Sequence, residues 1–464
     1  MNKTIPKKLF SGAVAAALAV SLLPASALAA SSEYTAAGAT KLTFSNSGIT
    51  AKDGDYTDYK IDGTDLTIQS SGTYLVSGSC ADGSIKIKKG TTGVTLVLDG
   101  LTLTSSDTAP IACNKSTEVT IVAAGGTTNT LTDSSQNNDD NYPDNEDAEN
   151  AVIKCKDGSD VTICGSGKLN INAKGKNGIK SGATTDEEGD ASLTIRNVAL
   201  TIDAPVNDAI NAEQQLDIES GTLTISAGDD AIHCDYVMNV GAAGTSGPAI
   251  TITDCYEGLE AATLNIRSGD IAITAEDDCL NAANSDLTNY DFSMTISGGT
   301  VNAYSASGDG FDSNGDLTIS GGSVTVWTAN TADNQPLDAD GTLTVSGSAD
   351  MGVKTTATQP YVAFGGSGGM GGRGTSLITK GGSFAVKDSS GNTVYSGTAV
   401  CNASYLFFSS SKLTSGGSYS LYSGSSSAAT ATAQTGTSSS GAMNGGQRPG
   451  GQQPGTGSTQ QPTA

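Results

Sequence analysis

A five-residue segment recurs through the middle of the chain and constrains its fold more than any other feature. Each copy has a polar turn residue, a small residue, a large apolar residue, a polar residue and a second small residue, as in Asp208–Ala212 and Asp278–Ala282. The large apolar residues are Ile179, Ile210, Ile232, Leu259, Leu280, Phe311 and Leu337, with weaker copies at Ile111 and Ile153. The nearest copies are 21 or 22 residues apart, with two short alternating runs between them. Three short strands in a period of this length are typical of one coil of a parallel β-helix. A single coil cannot bury its apolar side alone, so successive coils stack on one another.

Stacked coils would place equivalent residues in ladders about 4.8 Å apart. The large apolar residue and the small residue two places later should face inward, which makes Cys113, Cys155 and Cys234 small interior residues. The alternative for Cys113 and Cys155 is a disulfide between them, if their coils are adjacent. Helical periodicity is nowhere sustained, and the rival fold, an array of β-sandwiches, would need antiparallel hairpins and domain-sized repeats. We therefore expect an all-β fold, with a parallel β-helix over residues 33–349.

The two ends of the chain differ in composition from the repeats. Lysines precede an apolar run at 13–23 and an Ala-Leu-Ala site, so residues 1–29 read as a signal peptide that is cleaved after Ala29. The mature protein should then be secreted, extracellular or attached to the cell surface, with no membrane span. Residues 350–425 leave the repeat but stay strand-like, which predicts a small C-terminal β cap. Residues 426–464 are rich in Gly, Ser, Gln and Pro and predict a disordered tail.

The charge of the chain limits its partners. There are 48 acidic residues against 24 basic ones, a net charge of −24, and loss of the three lysines within residues 1–29 makes it −27. Such a chain repels nucleic acids and anionic membranes, so an anionic partner would need a bridging cation. The chain has a single histidine and no closely spaced cysteine pair, which argues against zinc sites and histidine-based triads.

Acidic residues recur just before the large apolar position and again just after it. Taken singly, each reads as a turn residue that caps its own backbone. Taken together, carboxylates about 4.8 Å apart repel by roughly 3 kcal/mol per pair at an effective dielectric constant of about 20, so protons or cations must neutralise them. Ca²⁺ suits clustered carboxylates and carbonyls. The predicted calcium ligands are Asp208, Asp230, Glu257, Asp278, Asp309, Asp312 and Asp338.

Four further residues are candidates for contact with a ligand. Tyr304 and Trp327 should lie one coil apart and point outward, either as a structural pair or as a flat platform for a sugar ring. Lys154 and Lys180 occupy the outward position after the large apolar residue, where they could form a positive patch or simply balance charge. Lys180 could also serve as the base of a β-elimination, beside Asn177 and Asp208. No residue is assigned a catalytic role.

The ordered set of motifs resembles a known family. The repeats of the form D-[GA]-I-x-[SA], the acidic loop Asp139–Asp147 and the late segments Val386–Asn392 and Gly417–Tyr422 are similar to those of a family of carbohydrate-binding, calcium-associated, right-handed parallel β-helix proteins, which Gram-positive bacteria export. The resemblance covers about residues 33–425. It implies a fold similar to calcium-dependent pectate lyases and binding of plant cell-wall polysaccharide, acidic pectin or cellulose, rather than proven catalysis. The sequence departs from the family in one respect: the lysine that usually follows the repeat isoleucine is present only at Lys154 and Lys180.

Three functions follow as hypotheses. The first is a monomeric, exported, calcium-stabilised β-helix that binds polysaccharide without catalysis, through calcium bridges to uronate groups or through the lysine patch. The second is a calcium-dependent polysaccharide lyase acting on pectate. The third is a surface adhesin or structural protein without affinity for sugars.

Overall fold

The chain folds into β-strands throughout the part that the structure describes. The computed structural model describes residues 34–52, 54, 56–182, 191–329, 335–345, 359–365, 376–400 and 402–438. Within these ranges there are 37 strands and no helices, and hence no helix that could span a membrane. The predicted signal peptide lies outside the described residues.

The strands of the first half are β1 (Thr40–Ser45), β2 (Gly48–Lys52), β3 (Tyr59–Asp62), β4 (Asp65–Ile68), β5 (Gly72–Cys80), β6 (Ser84–Ile87), β7 (Val94–Thr104), β8 (Ile111–Cys113), β9 (Glu118–Ala123), β10 (Thr128–Thr132), β11 (Ala151–Cys155), β12 (Asp160–Cys164), β13 (Lys168–Asn172), β14 (Asn177–Ser181), β15 (Ser192–Ile195), β16 (Val198–Ala204), β17 (Ile210–Ala212) and β18 (Gln215–Ile218). Those of the second half are β19 (Gly221–Ala227), β20 (Ile232–Val240), β21 (Ala249–Asp254), β22 (Leu259–Ile266), β23 (Asp270–Ala275), β24 (Leu280–Ala282), β25 (Ser293–Ile296), β26 (Thr300–Ser305), β27 (Phe311–Ser313), β28 (Asp316–Ile319), β29 (Ser323–Thr328), β30 (Leu343–Val345), β31 (Tyr361–Phe364), β32 (Ser383–Asp388), β33 (Thr393–Thr398), β34 (Tyr405–Ser410), β35 (Ser418–Ser423), β36 (Ser426–Thr432) and β37 (Gly436–Ser438).

Most of these strands stack in three parallel ladders, one for each strand position of the repeat. The first ladder runs through β4, β6, β8, β11, β14, β17, β20, β22, β24 and β27. The second runs through strands such as β12, β15 and β18, and the third through strands such as β16, β19 and β21. This arrangement confirms an all-β protein built on a long, mostly parallel sheet, and it is consistent with a β-helix-like solenoid.

The first ladder aligns the repeat residue by residue. Ile179 pairs with Ile210, Ile210 with Ile232, Ile232 with Leu259, Leu280 with Phe311, and an isolated bridge joins Phe311 to Leu337. All these side chains are buried in one core. The core is continuous along the ladders because every coil contributes apolar residues at the same positions.

Small residues let the coils approach closely. A Cβ atom added at Gly258 would lie 2.1 Å from the carbonyl oxygen of Cys279, and that oxygen accepts the N–H of Leu259. Cys155 lies beside Cys113 on the adjacent coil, and both are buried free thiols. Their mutual hydrogen bond, and then burial, raise the pKa of Cys113 well above its usual value.

Antiparallel strands adjoin ladders at both ends of the stack. At the beginning of the described chain, β1 pairs with β2, and β3 with β4, as hairpins. At the other end β34 runs antiparallel to β29, and β37 antiparallel to β30. A separate antiparallel sheet of β33, β32, β35 and β36 packs beside the third ladder.

Part of the predicted disordered tail is ordered. The prediction for residues 426–464 is wrong at its start, where β36 pairs with β35 and β37 pairs with β30. The composition is low in large apolar residues, but pairing of this kind uses the backbone. Ala429 and Ala431 also alternate along β36 and pack against the apolar cluster of the C-terminal sheet. The remaining tail lies outside the described residues.

Candidate functional site

The acidic residues before the large apolar position form a column in the turns that enter the first ladder. Three of them accept the backbone N–H of a residue on the following coil. Asp208 Oδ1 accepts from Asp230 at 3.3 Å, Asp278 Oδ1 from Asp309 at 2.6 Å, and Asp309 Oδ1 from Gln335 at 2.5 Å. These carboxylates therefore join successive coils, rather than capping only their own turn.

Burial and mutual repulsion raise the pKa values of this column. Burial, and then the charge of Asp230, raises the pKa of Asp208 to about 6. Burial and the charge of Glu260 raise that of Glu257 to about 8, while burial and Asp312 raise that of Asp278 to about 9. Ionised carboxylates at these positions are unfavourable unless a cation or a proton neutralises them.

Three predicted calcium ligands come together at the C-terminal end of this column. One carboxylate oxygen from each of Asp309, Asp312 and Asp338 lies within 4.8 Å of the others. The first two flank Phe311, and the backbone of Asp338 is held one coil further on by its N–H bond to the Phe311 carbonyl, at 2.8 Å. Asp338 is 8% exposed. A set of three carboxylates fits Ca²⁺, which takes oxygen ligands and completes its shell with carbonyls or water.

The other predicted ligands are dispersed along the column. Asp208 accepts a bond from Asn211 Nδ2 at 2.6 Å, and Glu257 one from Asn281 Nδ2 at 2.9 Å. Asp230 lies instead in a second cluster with His233 and Glu260, whose ligand atoms are within 4.8 Å of one another. The single histidine was not among the predicted ligands, although its place in the outward column, between acidic neighbours, was visible in the sequence.

The two candidate lysines lie side by side on adjacent coils. Lys154 pairs with Lys180 in the ladder register. The Lys180 ammonium contacts Glu213 Oε1 at 2.6 Å and donates to Asn211 Oδ1 at 3.2 Å. Burial, and then the charge of Lys180, lower the pKa of Lys154. Glu213 neutralises part of the expected positive patch, and sequence reasoning missed it because it follows the repeat segment.

The aromatic pair lies against the C-terminal sheet rather than on an open face. Tyr304 and Trp327 do pair in register on the third ladder. However, Trp327 is only 7% exposed, and its ring meets that of Phe384 edge to face at 4.9 Å between centroids. Tyr304 is partly buried against the same cluster. The C-terminal sheet covers Trp327 and part of Tyr304, which favours the interpretation as a structural pair.

We expect the stability of the metal-free protein to fall as the pH rises from about 5 to about 9. The carboxyl groups of Asp208, Glu257 and Asp278 have raised pKa values in the fold and ordinary ones, 3.8 or 4.5, when unfolded. The folded state therefore binds more protons over this range, and deprotonation costs it stability. His233, whose pKa the neighbouring carboxylates raise despite its burial, acts in the same direction.

The measurement is the melting temperature in chelator at a series of pH values. The isosteric variant Asp278→Asn, which keeps an oxygen for the N–H of Asp309, should flatten the upper part of the curve. A melting temperature that climbs with pH over this range would show that the column is ionised and stabilising without a metal.

Comparison with known proteins adds an independent observation. The sequence model of the family described as "Carbohydrate-binding domain-containing protein" matches residues 62–332, more than half of the chain. A protein of the same description from Acetivibrio thermocellus is 34% identical over 140 residues. That alignment covers 30% of this chain and 47% of the relative, so the chain spans about half of the length of the relative. The structure of a polysaccharide lyase-like protein from C. thermocellum, a gadolinium derivative, aligns with a TM-score of 0.36 and 24% identity over 66% of this chain and 96% of that one.

Proposed function

Since the chain belongs to the family of carbohydrate-binding domain-containing proteins, we propose that it is an exported, non-catalytic protein that binds an acidic plant cell-wall polysaccharide through calcium. In this proposal the ladders form a right-handed parallel β-helix, and the polymer lies along the outward face of the first ladder. Each coil then offers an outward side chain about every 4.8 Å along the polymer, so that several weak contacts add up.

The cluster of Asp309, Asp312 and Asp338 carries the calcium part of the proposal. It unites three oxygen ligands from two consecutive coils on the outward side of the first ladder. Two of the three belong to the outward column, which is the one that a polymer on this face would meet. A calcium ion held there could share its remaining positions with the carboxylate of a uronic acid.

The net charge supports a cation-mediated contact over a direct one. The chain carries −24 and would repel a polyuronate at long range. Lys180 is already paired with Glu213, so direct attraction by the lysine patch is weakened. Calcium ions that bridge protein and polymer carboxylates would offset this electrostatic repulsion.

We expect calcium to retard the protein in native gels that contain polygalacturonate, and a chelator to abolish this retardation. Asp338→Asn removes one carboxylate of the cluster and should strongly weaken the retardation. The matched control is Asp62→Asn, which removes the same charge from an exposed carboxylate paired with Lys60 far from the cluster, and it should leave binding unchanged. Circular dichroism checks that the protein stays folded in chelator. Retardation that survives chelation in a folded protein would refute the calcium bridge.

Lyase activity is the second candidate, and the lowered pKa of Lys154 is the observation that favours it. A lysine that loses its proton more easily can act as the base of a β-elimination. Unsaturated products from polygalacturonate with calcium, absent in Lys154→Met, would establish this activity and overturn the non-catalytic proposal. A lack of binding to any insoluble polysaccharide in pull-downs would favour an adhesin or structural protein instead.

A further inference from the structure

The single histidine of the chain is enclosed by three carboxylates. His233 Nδ1 lies 2.7 Å from Glu260 Oε2 and 3.3 Å from Asp230 Oδ2, while Nε2 lies 2.8 Å from Asp235 Oδ1. Glu260 occupies the same ladder position one coil further on. The side chains of His233, Asp230 and Glu260 are 19%, 13% and 16% exposed, so the cluster is partly buried but open to solvent.

The two ring nitrogens have different surroundings. Nε2 has one close carboxylate, Asp235, to which it can donate its proton. Nδ1 faces two carboxylate oxygens, which can only accept when both groups are ionised, so in that state a proton or a cation must lie between the nitrogen and the oxygens. Metal-binding histidines have the same arrangement: one ring nitrogen donates its proton to a carboxylate, which fixes the tautomer, and the other nitrogen binds the metal.

The composition of this ligand set differs from that of the Asp309, Asp312 and Asp338 cluster. An imidazole nitrogen with two carboxylates suits first-row transition metals such as Zn²⁺, whereas three carboxylates suit Ca²⁺. In tetrahedral coordination at about 2.1 Å, ligand atoms are roughly 3.4 Å apart. The observed 3.3 Å to Asp230 is near this value, whereas the 2.7 Å to Glu260 is a hydrogen-bond length, so Glu260 would have to move away from the ring to bind the same ion.

We propose that Asp230, His233 and Glu260 form a site for a transition-metal ion of the Zn²⁺ class, with Asp235 as the outer partner that orients the imidazole. The two ligand carboxylates balance the charge of a divalent ion. Three protein ligands leave one tetrahedral position open on the solvent side for water or another ligand. The site shares no residue with the calcium cluster, although His233 and Glu260 lie in the same outward column of the first ladder.

Nitrogen-15 NMR of the histidine in the full, untagged chain tests this site directly, because only one imidazole contributes. Addition of one equivalent of Zn²⁺ to chelator-treated protein should shift the Nδ1 resonance to that of a metal-bound nitrogen, while Nε2 stays protonated. Imidazole resonances that do not change with excess Zn²⁺ would overturn the proposal, whatever zinc does elsewhere on this acidic chain.

Variants separate this site from the calcium cluster. His233→Asn should remove the rise in melting temperature caused by Zn²⁺ but keep that caused by Ca²⁺, and Asp338→Asn should do the reverse. Asp235→Asn should weaken zinc binding, measured by calorimetry, by about 10- to 100-fold with unchanged stoichiometry, as expected for an outer partner. Zinc binding of wild-type affinity in folded His233→Asn would place the metal elsewhere and refute the assignment.

Discussion

Replacing Trp327 with alanine is expected to lower the free energy of unfolding by about 3–5 kcal/mol while leaving polysaccharide binding by the folded protein unchanged. The indole is buried between the third ladder and the C-terminal sheet, in contact with Phe384. Its removal opens a cavity at a junction that the rest of that sheet cannot readily collapse to fill. Urea unfolding followed by circular dichroism measures the loss, and native gels with polygalacturonate measure binding.

Tyr142→Ala is the matched control for this experiment, because Tyr142 is an exposed aromatic, 41% accessible, on the acidic loop. It should change stability by less than about 0.5 kcal/mol. In the wild type, emission of the single tryptophan should resist quenching by acrylamide. If the tryptophan is readily quenched, or if Trp327→Ala loses binding while its stability is unchanged, Trp327 must be exposed and able to stack on a sugar.

Phe311→Ala is expected to destabilise the protein by a similar amount, about 3–5 kcal/mol, and to reduce the stabilisation by calcium. Phe311 is fully buried and stands in the first ladder between Leu280 and Leu337. Asp309 and Asp312 flank it in sequence, so its packing is expected to set the position of two of the three proposed calcium ligands. Calorimetry with and without calcium measures both effects.

Phe311→Leu is the control, since it fills most of the space and should preserve the calcium response. An undiminished calcium shift in Phe311→Ala would mean that the carboxylates are positioned by their backbone alone. If Phe311→Ala lowers the free energy of unfolding by less than about 1 kcal/mol, the coils must collapse to fill the cavity.

The register of the first ladder could be predicted because the information is local and repeated. Each large apolar residue, such as Ile210 or Ile232, recurs with the same turn and alternation, and a slip by one residue would turn it outward. The meeting of Asp309, Asp312 and Asp338 follows from the same register, since neighbouring rungs bring equivalent positions together.

The surroundings of Trp327 depend on contacts that no local pattern encodes. Alternation correctly points the Trp327 side chain away from the core of the ladders, but Phe384, which covers it, comes from a separate antiparallel sheet. The neighbours of His233 are more local: the ladder register implies Glu260, and alternation along β20 puts Asp235 on the same face. Partners that come from distant strands are the part that required the structure.

The antiparallel strands at the two ends of the ladders bear on whether molecules of this kind could stack end to end. A parallel ladder repeats the same backbone pattern at every rung, so an uncovered last rung would accept the first rung of another molecule. Here β2 and β3 at one end, and β34 and β37 at the other, run against the direction of the ladders that they adjoin. A second copy approaching one of these ladder ends would meet a strand of the opposite direction instead of a matching coil. The first ladder differs at its C-terminal end, where the last described rung is the parallel bridge between Phe311 and Leu337. Added repeats are therefore expected to be tolerated between these end strands rather than beyond them.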